Sequence, residues 1–277
     1  MPLNVPQDQP GAESLVAARP HWRSVDFISD LHLQASQHAT FAAWQRYMAS
    51  TPADALFILG DLFDAWVGDD ITASGDPDGV FALQCQQVLH ATSMRMPVYF
   101  MHGNRDFLLG EDFARASGMT LLADPTVLDF DGRRWLLSHG DALCLDDVDY
   151  LKFRQLARNP AWQQNILAKP LAERQLLARG IRSESESRKA SGTVYADVDE
   201  EAAKGWLVAA NASTLIHGHT HLPNDHVLDA TTQPVLRRIV LSDWDAAAQP
   251  PRLQVLRLQA GHAPKRLAPG VRALTRP

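Results

Sequence analysis

Five short segments place carboxylates, imidazoles and one amide where they could do metal chemistry: Asp30-Leu31-His32, Gly60-Asp61, Gly103-Asn104-Arg105-Asp106, His139-Gly140-Asp141 and Gly218-His219-Thr220-His221. The candidate ligands are Asp30, His32, Asp61, Asn104, His139, His219 and His221: oxygen and imidazole donors with no thiolate. Such a set suits borderline or hard divalent cations such as Mn2+, Fe2+ or Zn2+. Seven ligands exceed what one ion needs and fit two ions about 3.5–4 Å apart. Asp61 is the natural bridge, because a carboxylate has two oxygens to share. Two such cations clamp a water and bring its pKa near neutrality, which supplies a hydroxide for in-line attack on phosphorus.

The spacing has a physical reason. Asp-x-His and His-x-His at a strand end leave both side chains on the same side, because side chains alternate along an extended chain. Glycines beside them let the backbone come close and turn sharply. Asn104 can offer a neutral carbonyl oxygen, and Arg105 beside it can pair bidentately with a phosphate. Any one of these segments alone is an ordinary turn with a capping duty. All five together, in order and each behind a strand, make the metal reading the sharper one.

The elements that must position them alternate strand and helix. Apolar, β-prone runs over 25–29, 55–59, 98–101 and 214–216 predict strands; the first two end directly at a segment, and the last two run into one through His102 and His217. Residues 124–130 and 133–138 flank Asp131-Gly132, a hairpin turn signal, and the second run leads into His139. Helical spacing appears over 41–50, 80–92, 113–117 and 200–211, and closing strands are expected over 234–242 and 252–259. The pattern argues α/β architecture, in which ligands gather beyond the carboxyl ends of strands. The chain has 277 residues, 45% of them hydrophobic, enough for one large domain with a core. A net charge of −6 provides no general field for nucleic acid. Two cysteines, Cys85 and Cys144, exclude a four-cysteine zinc site and read as packed small hydrophobes. No run reaches the roughly 18–20 apolar residues of a membrane span. Residues 1–20 carry four prolines without the basic start and apolar run of a secretory signal, and are expected to be a disordered extension.

The five segments resemble the blocks of the calcineurin-like metallophosphoesterases: Asp-x-His, Gly-Asp, Gly-Asn-His/Arg-Asp/Glu, His before Gly, and Gly-His-x-His. The likeness spans Asp30 to His221. It implies a four-layer α/β sandwich of two packed mixed sheets flanked by helices, here over 21–260, with a dinuclear site at the strand ends. By the same resemblance one metal takes Asp30, His32, Asp61 and His221, and the other takes Asp61, Asn104, His139 and His219. Many family members have His after the Asn, where it protonates the leaving group. Here Arg105 stands there, which points to a phosphate-gripping role and a leaving group that departs as a stable anion. The longer runs 27–33 (FISDLHL), 60–70 (GDLFDAWVGDD), 103–110 (GNRDFLLG), 138–144 (SHGDALC) and 216–223 (IHGHTHLP), with Asp146-Asp147, are similar to family members that cleave the pyrophosphate of an acylated UDP-sugar in lipid A biosynthesis. That narrower resemblance implies two Mn2+ per chain and peripheral association with the cytoplasmic face of the inner membrane. It makes Asp61, Asn104, Arg105 and His219 catalytic, and puts Asn104, Arg105, Asp147 and His219 against substrate.

One stretch breaks the alternation. Residues 150–189 are mostly helix-forming, are cut by Pro160 and Pro170, and carry nine Lys or Arg against three acids among interspersed Leu, Ile and Trp. They are expected to form a helical cap offering apolar walls for acyl chains and cations for phosphate; the plainer alternative is an amphipathic cover that only buries against the sheet. Ser185, Arg188 and Lys189 are the candidate substrate contacts there, although the family's usual Ser-to-Lys spacing is not reproduced. His217 and Asp64 are candidates for orienting a ligand from behind. Residues 261–277 form the end of a basic tail, either solvated or weakly attracted to anionic lipid. Two other functions stay open at this point: hydrolysis of a different nucleotide, pyrophosphate or phosphodiester, and a non-catalytic metal-bound scaffold.

Overall fold

A computed structural model describes residues 14–190 and 196–269, without the side chains of 183–190. Twelve strands among these residues form two six-stranded mixed sheets. In spatial order the first sheet is β12 (Lys265–Leu267), β11 (Val255–Gln259), β2 (Ser24–Ile28), β3 (Ala55–Leu59), β4 (Val98–Met101) and β5 (Met119–Leu122). The second is β1 (Leu15–Ala17), β6 (Thr126–Phe130), β7 (Arg133–Ser138), β8 (Thr214–His217), β10 (Leu236–Val240) and β9 (Asp225–Asp229). Strands β2 to β5 are parallel neighbours, as are β7, β8 and β10.

The apolar strands are buried on both faces, as parallel strands require. In β3 the period of two sends Ala55, Phe57 and Leu59 into the core between the sheets, with Leu137 and Ile216 of the second sheet. Leu56 and Ile58 face the opposite way, toward helices α1 (His38–Ser50), α2 (Pro77–Ser93) and α3 (Glu111–Ser117), whose Trp44, Phe81 and Phe113 share that cluster. A third cluster joins Leu136 and Leu215 to Trp206 and Leu207 of α7 (Glu200–Ala209), on the outside of the second sheet. The layers are therefore helices, sheet, sheet, helix. Each fully buried Phe or Leu contributes about 1.5–3 kcal/mol relative to exposure.

The predicted helices and strands are present with shifted ends. Helix α2 begins three residues before the apolar pattern does, because Asp76 caps it, accepting from the Gly79 amide at 2.8 Å, and Pro77 opens it. Helix α3 stops at Gly118, which takes the left-handed conformation. The hairpin β6–β7 turns at Asp131-Gly132 as expected. Two expectations need correction. The extension expected to be disordered over 1–20 contains β1, an edge strand whose residues pair with Val127 to Asp129. The tail expected from 261 contains β12, paired with β11. Strands β5 and β9 were missed; neither runs into a ligand segment. Residues 1–13 and 270–277 lie outside the described residues.

The insertion is a cap of three helices: α4 (Val148–Ala157), α5 (Pro160–Leu167) and α6 (Leu171–Ala190). Pro160 opens α5, and Pro170 stands just ahead of α6, so the prolines start helices here. The cap's arginines are largely committed to the body. Arg154 donates to Asp141 at 3.0 Å, Arg158 to the carbonyls of His102 and Gly103 at 3.1 and 3.0 Å, and Arg174 to Asp70 at 2.9 Å and to the Val67 carbonyl. These cations anchor the cap, where sequence reasoning had offered them to phosphate. The apolar residues divide: Ile166, Leu171 and Ala178 pack on the core, whereas Leu156, Leu167, Leu176, Leu177 and Ile181 are exposed.

Candidate metal centre

The five segments meet at one end of the two sheets. Neighbouring strand-end loops are tied to each other by backbone bonds: Asp30 N to Gly60 O at 3.1 Å, His32 N to Asp61 O at 3.0 Å, and Gly218 N to His139 O at 3.0 Å. Five of the seven non-glycine residues with positive φ among the described residues are Asp30, His32, Asp61, His219 and His221. L-residues take this conformation at a cost of order 1–3 kcal/mol each, and such strain collects at functional sites.

The glycines explain how the side chains come so close. A Cβ on Gly103 would stand 2.0 Å from Asp61 Oδ1, one on Gly218 would be 2.3 Å from Asp30 Oδ2, and one on Gly60 would be 2.4 Å from His139 Nδ1. Each glycine makes room for a ligand carried by a different segment. Sequence reasoning assigned the glycines to backbone approach toward metals; the structure shows them receiving neighbouring ligands.

Two groups of donors face each other across Asp61. On one side His221 Nε2 lies 3.2 Å from Asp30 Oδ1 and 3.3 Å from His32 Nε2, and His32 Nε2 lies 3.9 Å from Asp61 Oδ2. On the other, Asn104 Oδ1 lies 3.0 Å from both His139 Nε2 and His219 Nδ1, and His139 Nε2 is 3.8 Å from Asp61 Oδ1. Asp61 thus turns one oxygen to each group. Asp30, His32 and His221, and likewise Asp30, Asp61 and His139, have donor atoms within 4.8 Å of one another, a spacing that can hold a cation.

The chemistry of the donors fits divalent cations. His139 Nδ1 lies 2.9 Å from the Leu59 carbonyl, to which it can donate, so Nε2, 3.0 Å from Asn104 Oδ1, is the atom that would ligate a cation once it has lost its proton. Burial pushes the Asp61 carboxyl up to about 7, although His139 opposes it. His139 is held up to about 9: burial works against its charge, but Asp61, Asp141 and Asp30 outweigh it. Asp30 lies below the ordinary carboxylate range, because His221, His139 and His32 overcome its burial. Burial and the neighbouring His139 bring His219 down to about 3, which leaves it neutral and able to ligate.

Several supporting residues carried no ligand signature and were not given these roles from sequence. Asp106, fully buried, accepts from the amides of Leu62 at 2.7 Å and Gly103 at 2.8 Å, locking the Asp61 and Asn104 loops together. Asp141 accepts from Tyr150 Oη and from Arg154, and the Tyr150 ring lies 5.7 Å from that of His219. Asp243 stands 4.0 Å from His221 Nδ1. The Asp106 signal was legible in its block; those of Tyr150 and Asp243 depend on tertiary contacts.

The remaining candidates are placed as follows. Arg105 donates its amide to Asp61 Oδ1 at 2.8 Å, and its side chain lines a cleft with His32 and His221. Asp147 caps α4, accepting from Tyr150 N at 3.1 Å. His217 Nδ1 faces the Gly218 carbonyl at 2.9 Å, and Asp64 pairs with Arg182 of the cap at 2.5 Å. Ser185, Arg188 and Lys189 lie on the last turns of α6, where side chains are outside the described residues. Cys85 and Cys144 are buried in separate apolar clusters.

Residues 23–223 match the calcineurin-like phosphoesterase family, and the chain belongs to it. Within the family it is 46% identical over 230 residues to UDP-2,3-diacylglucosamine hydrolase of Chromobacterium violaceum, covering 80% of this chain and 90% of that protein. It is 43% identical over 221 residues to UDP-2,3-diacylglucosamine hydrolase of Escherichia coli and 44% identical over 221 residues to that of Pseudomonas putida, each time covering 79% of this chain and 90% of the relative.

Proposed function

We infer that this chain hydrolyses the pyrophosphate bond of UDP-2,3-diacylglucosamine, releasing UMP and 2,3-diacylglucosamine 1-phosphate, a step of lipid A biosynthesis. What carries this is the 46% identity to a UDP-2,3-diacylglucosamine hydrolase over 80% of this chain. The two donor groups flanking Asp61 support it. Asp30, His32, Asp61 and His221 would hold one Mn2+, and Asp61, Asn104, His139 and His219 the other. When bound, such a pair supplies an activated water and neutralises phosphate charge.

The chain's own residues do the rest. Asp61 holds the two halves of the site in register through its two oxygens. Arg105, fixed at its backbone to Asp61, grips non-bridging phosphate oxygens and stabilises charge that grows in the transition state. Asn104 and His219, by the family resemblance, would contact the substrate as well as hold a cation. No acid need sit beside the leaving oxygen, because a phosphate leaves as a stable anion. Asp147, Ser185, Arg188 and Lys189 complete the contacts from the cap.

A groove of about 270 Å3 under α6, walled by Leu33, Phe63, Trp66, Val67, Ile71 and Ala82, offers apolar surface to part of an acyl chain. No helix among the described residues is long and apolar enough to cross a membrane. Peripheral contact with the cytoplasmic face of the inner membrane is supported by the exposed leucines of the cap beside Lys169 and Arg179. The test is UMP release from UDP-2,3-diacylglucosamine by Mn2+-loaded protein, beside UDP-glucose and ATP. Release from the acylated sugar, abolished by chelation, is expected. A preference for either soluble nucleotide would redirect the substrate assignment.

A further inference from the structure

His219 takes a left-handed backbone, with φ of 67°, and the peptide that leads into it is clamped on both sides. At its nitrogen end His219 N donates to the Asp30 carboxylate at 3.0 and 3.2 Å. At its carbonyl end Gly218 O accepts from Thr220 N at 2.8 Å and from His217 Nδ1 at 2.9 Å. A carbonyl oxygen only accepts, so the proton of that bond sits on His217 Nδ1. The His217 ring is fully buried and also fills the space beside the other ligand loop. A Cβ on Gly140 would stand 2.8 Å from its Nδ1 and 3.3 Å from its Cγ. The ring therefore lies between the loops that carry His139 and His219.

Its neighbour is out of keeping with the layer around it. Arg238 of β10 pairs in register with Leu215 of β8, and His217 follows Leu215 by two residues, so the three share one face of the second sheet. Leu136, Leu215 and Leu236 pack on that face against Trp206 and Leu207 of α7. Among these apolar residues Arg238 is 3% exposed, and it grips Asp197 with two bonds, at 2.9 and 2.6 Å. Asp197 stands just ahead of α7. Two residues on, Asp199 N donates to the Leu143 carbonyl at 2.8 Å, which ties this segment to the loop after His139. Burying a guanidinium costs free energy even when it is paired, and an apolar side chain of similar volume often serves stability as well. What Arg238 and Asp197 do have within reach is the His217 ring, on which both charges act.

We propose that His217 is a positioning residue for the metal ligand His219, holding its peptide through Nδ1, and that Arg238, fixed by Asp197, keeps the His217 ring in place. This rests on the dinuclear centre described above and adds the residues that aim one of its ligands. An imidazole ligand is directional: its lone pair lies in the ring plane, and a turn of the peptide that carries it swings the nitrogen off the cation. Groups behind a ligand that fix its orientation set metal affinity in this way. His217, Arg238 and Asp197 do not line the cleft beside His32 and His221 or the groove under α6, so they act on the reaction through the ligand.

The experiment is calorimetric titration of metal-free, full-length protein with Mn2+, wild type beside His217→Asn and His217→Gln. The amide nitrogen of an asparagine falls near the place of Nδ1 and that of a glutamine near the place of Nε2, so the two variants differ in where the donor stands and little in polarity. His217→Asn should keep both manganese affinities within about twofold of wild type, whereas His217→Gln should weaken one of the two about tenfold. The kcat for UMP release by His217→Gln should fall at limiting Mn2+ and recover in excess Mn2+, which a general loss of structure would not do. Equal affinities in the two variants, both retained or both lost, overturn the role of Nδ1. His217→Ala, which removes the donor without adding bulk, carries the same expectation if His217→Gln does not fold. Arg238→Met should weaken the same site and add nothing in the His217→Gln background, because Arg238 acts through the ring. Additive losses overturn its part. Wild type that binds fewer than two ions refutes the dinuclear centre itself, whereas two ions held with equal affinity in every variant refute only the positioning.

Discussion

Replacing Gly103 with Ala tests how the centre is assembled with the smallest possible change. Gly103 does not occupy the left-handed region, so alanine meets no backbone penalty of its own. The new Cβ would stand 2.0 Å from Asp61 Oδ1, 2.8 Å from its Cγ and 2.4 Å from its backbone nitrogen. Contacts below 3.0 Å essentially never occur, so the two loops must part by about 1 Å at the point where Asp61 faces both donor groups. The backbone nitrogen is among the atoms struck, and a rotamer change of the carboxylate cannot relieve it. Asp106 resists the separation, because it binds the amides of both Leu62 and Gly103. A misplacement of about 1 Å at a reacting centre costs about 10²-fold in rate, equivalent to ~2.7 kcal/mol. The assay is kcat/KM for UMP release together with manganese content by mass spectrometry, on protein whose circular dichroism matches wild type. A fall of about 10²-fold with reduced metal content is expected. Full metal loading with wild-type turnover would refute the account of the glycines as receivers of neighbouring ligands.

Asp61→Ala should lose metal-dependent turnover and at least one bound metal, read by calorimetric titration with Mn2+. Arg105→Ala should lower kcat by about 10²–10³-fold while manganese content is unchanged, since the lost interaction is with transition-state charge; unchanged kcat contradicts the gripping role. Arg154→Met leaves Asp141 buried without its cation and should destabilise the protein by about 3–5 kcal/mol in urea titrations, with a smaller loss in Arg154→Met/Asp141→Asn. Asp70 is held below its usual range by its hydrogen bonds to Arg174, so its contribution to stability is present above the unfolded carboxylate pKa and fades as pH falls through the lowered value. Asp70→Asn should therefore lower Tm at neutral pH, and the gap to wild type should narrow under strong acid; an equal gap at both pH values removes the linkage.

The donor set was legible because chemistry marks it. Carboxylates and imidazoles directly behind apolar strands are uncommon unless they converge, and strands such as β3, apolar at every position, declare a doubly covered sheet. What was illegible depends on partners distant in sequence. Nothing local distinguishes Arg154 or Arg174, which anchor the cap, from Arg179 on the same basic stretch. Tyr150 acquires its place beside His219 only because α4 is pinned through Asp141. The edge strands β1 and β12 are three residues long and bury little, so only their pairing partners reveal them. The extra reach of the helices at their N-termini lay in caps such as Asp76, which precede the apolar pattern.

Anomalous diffraction at the manganese edge, from crystals grown with Mn2+, measures the central claim most directly. Two peaks per chain are expected about 3.5–4 Å apart, one on each side of Asp61, the first within coordination reach of Asp30, His32 and His221 and the second of Asn104, His139 and His219. A single peak, or manganese bound away from Asp61, would contradict a dinuclear centre and the hydrolysis derived from it.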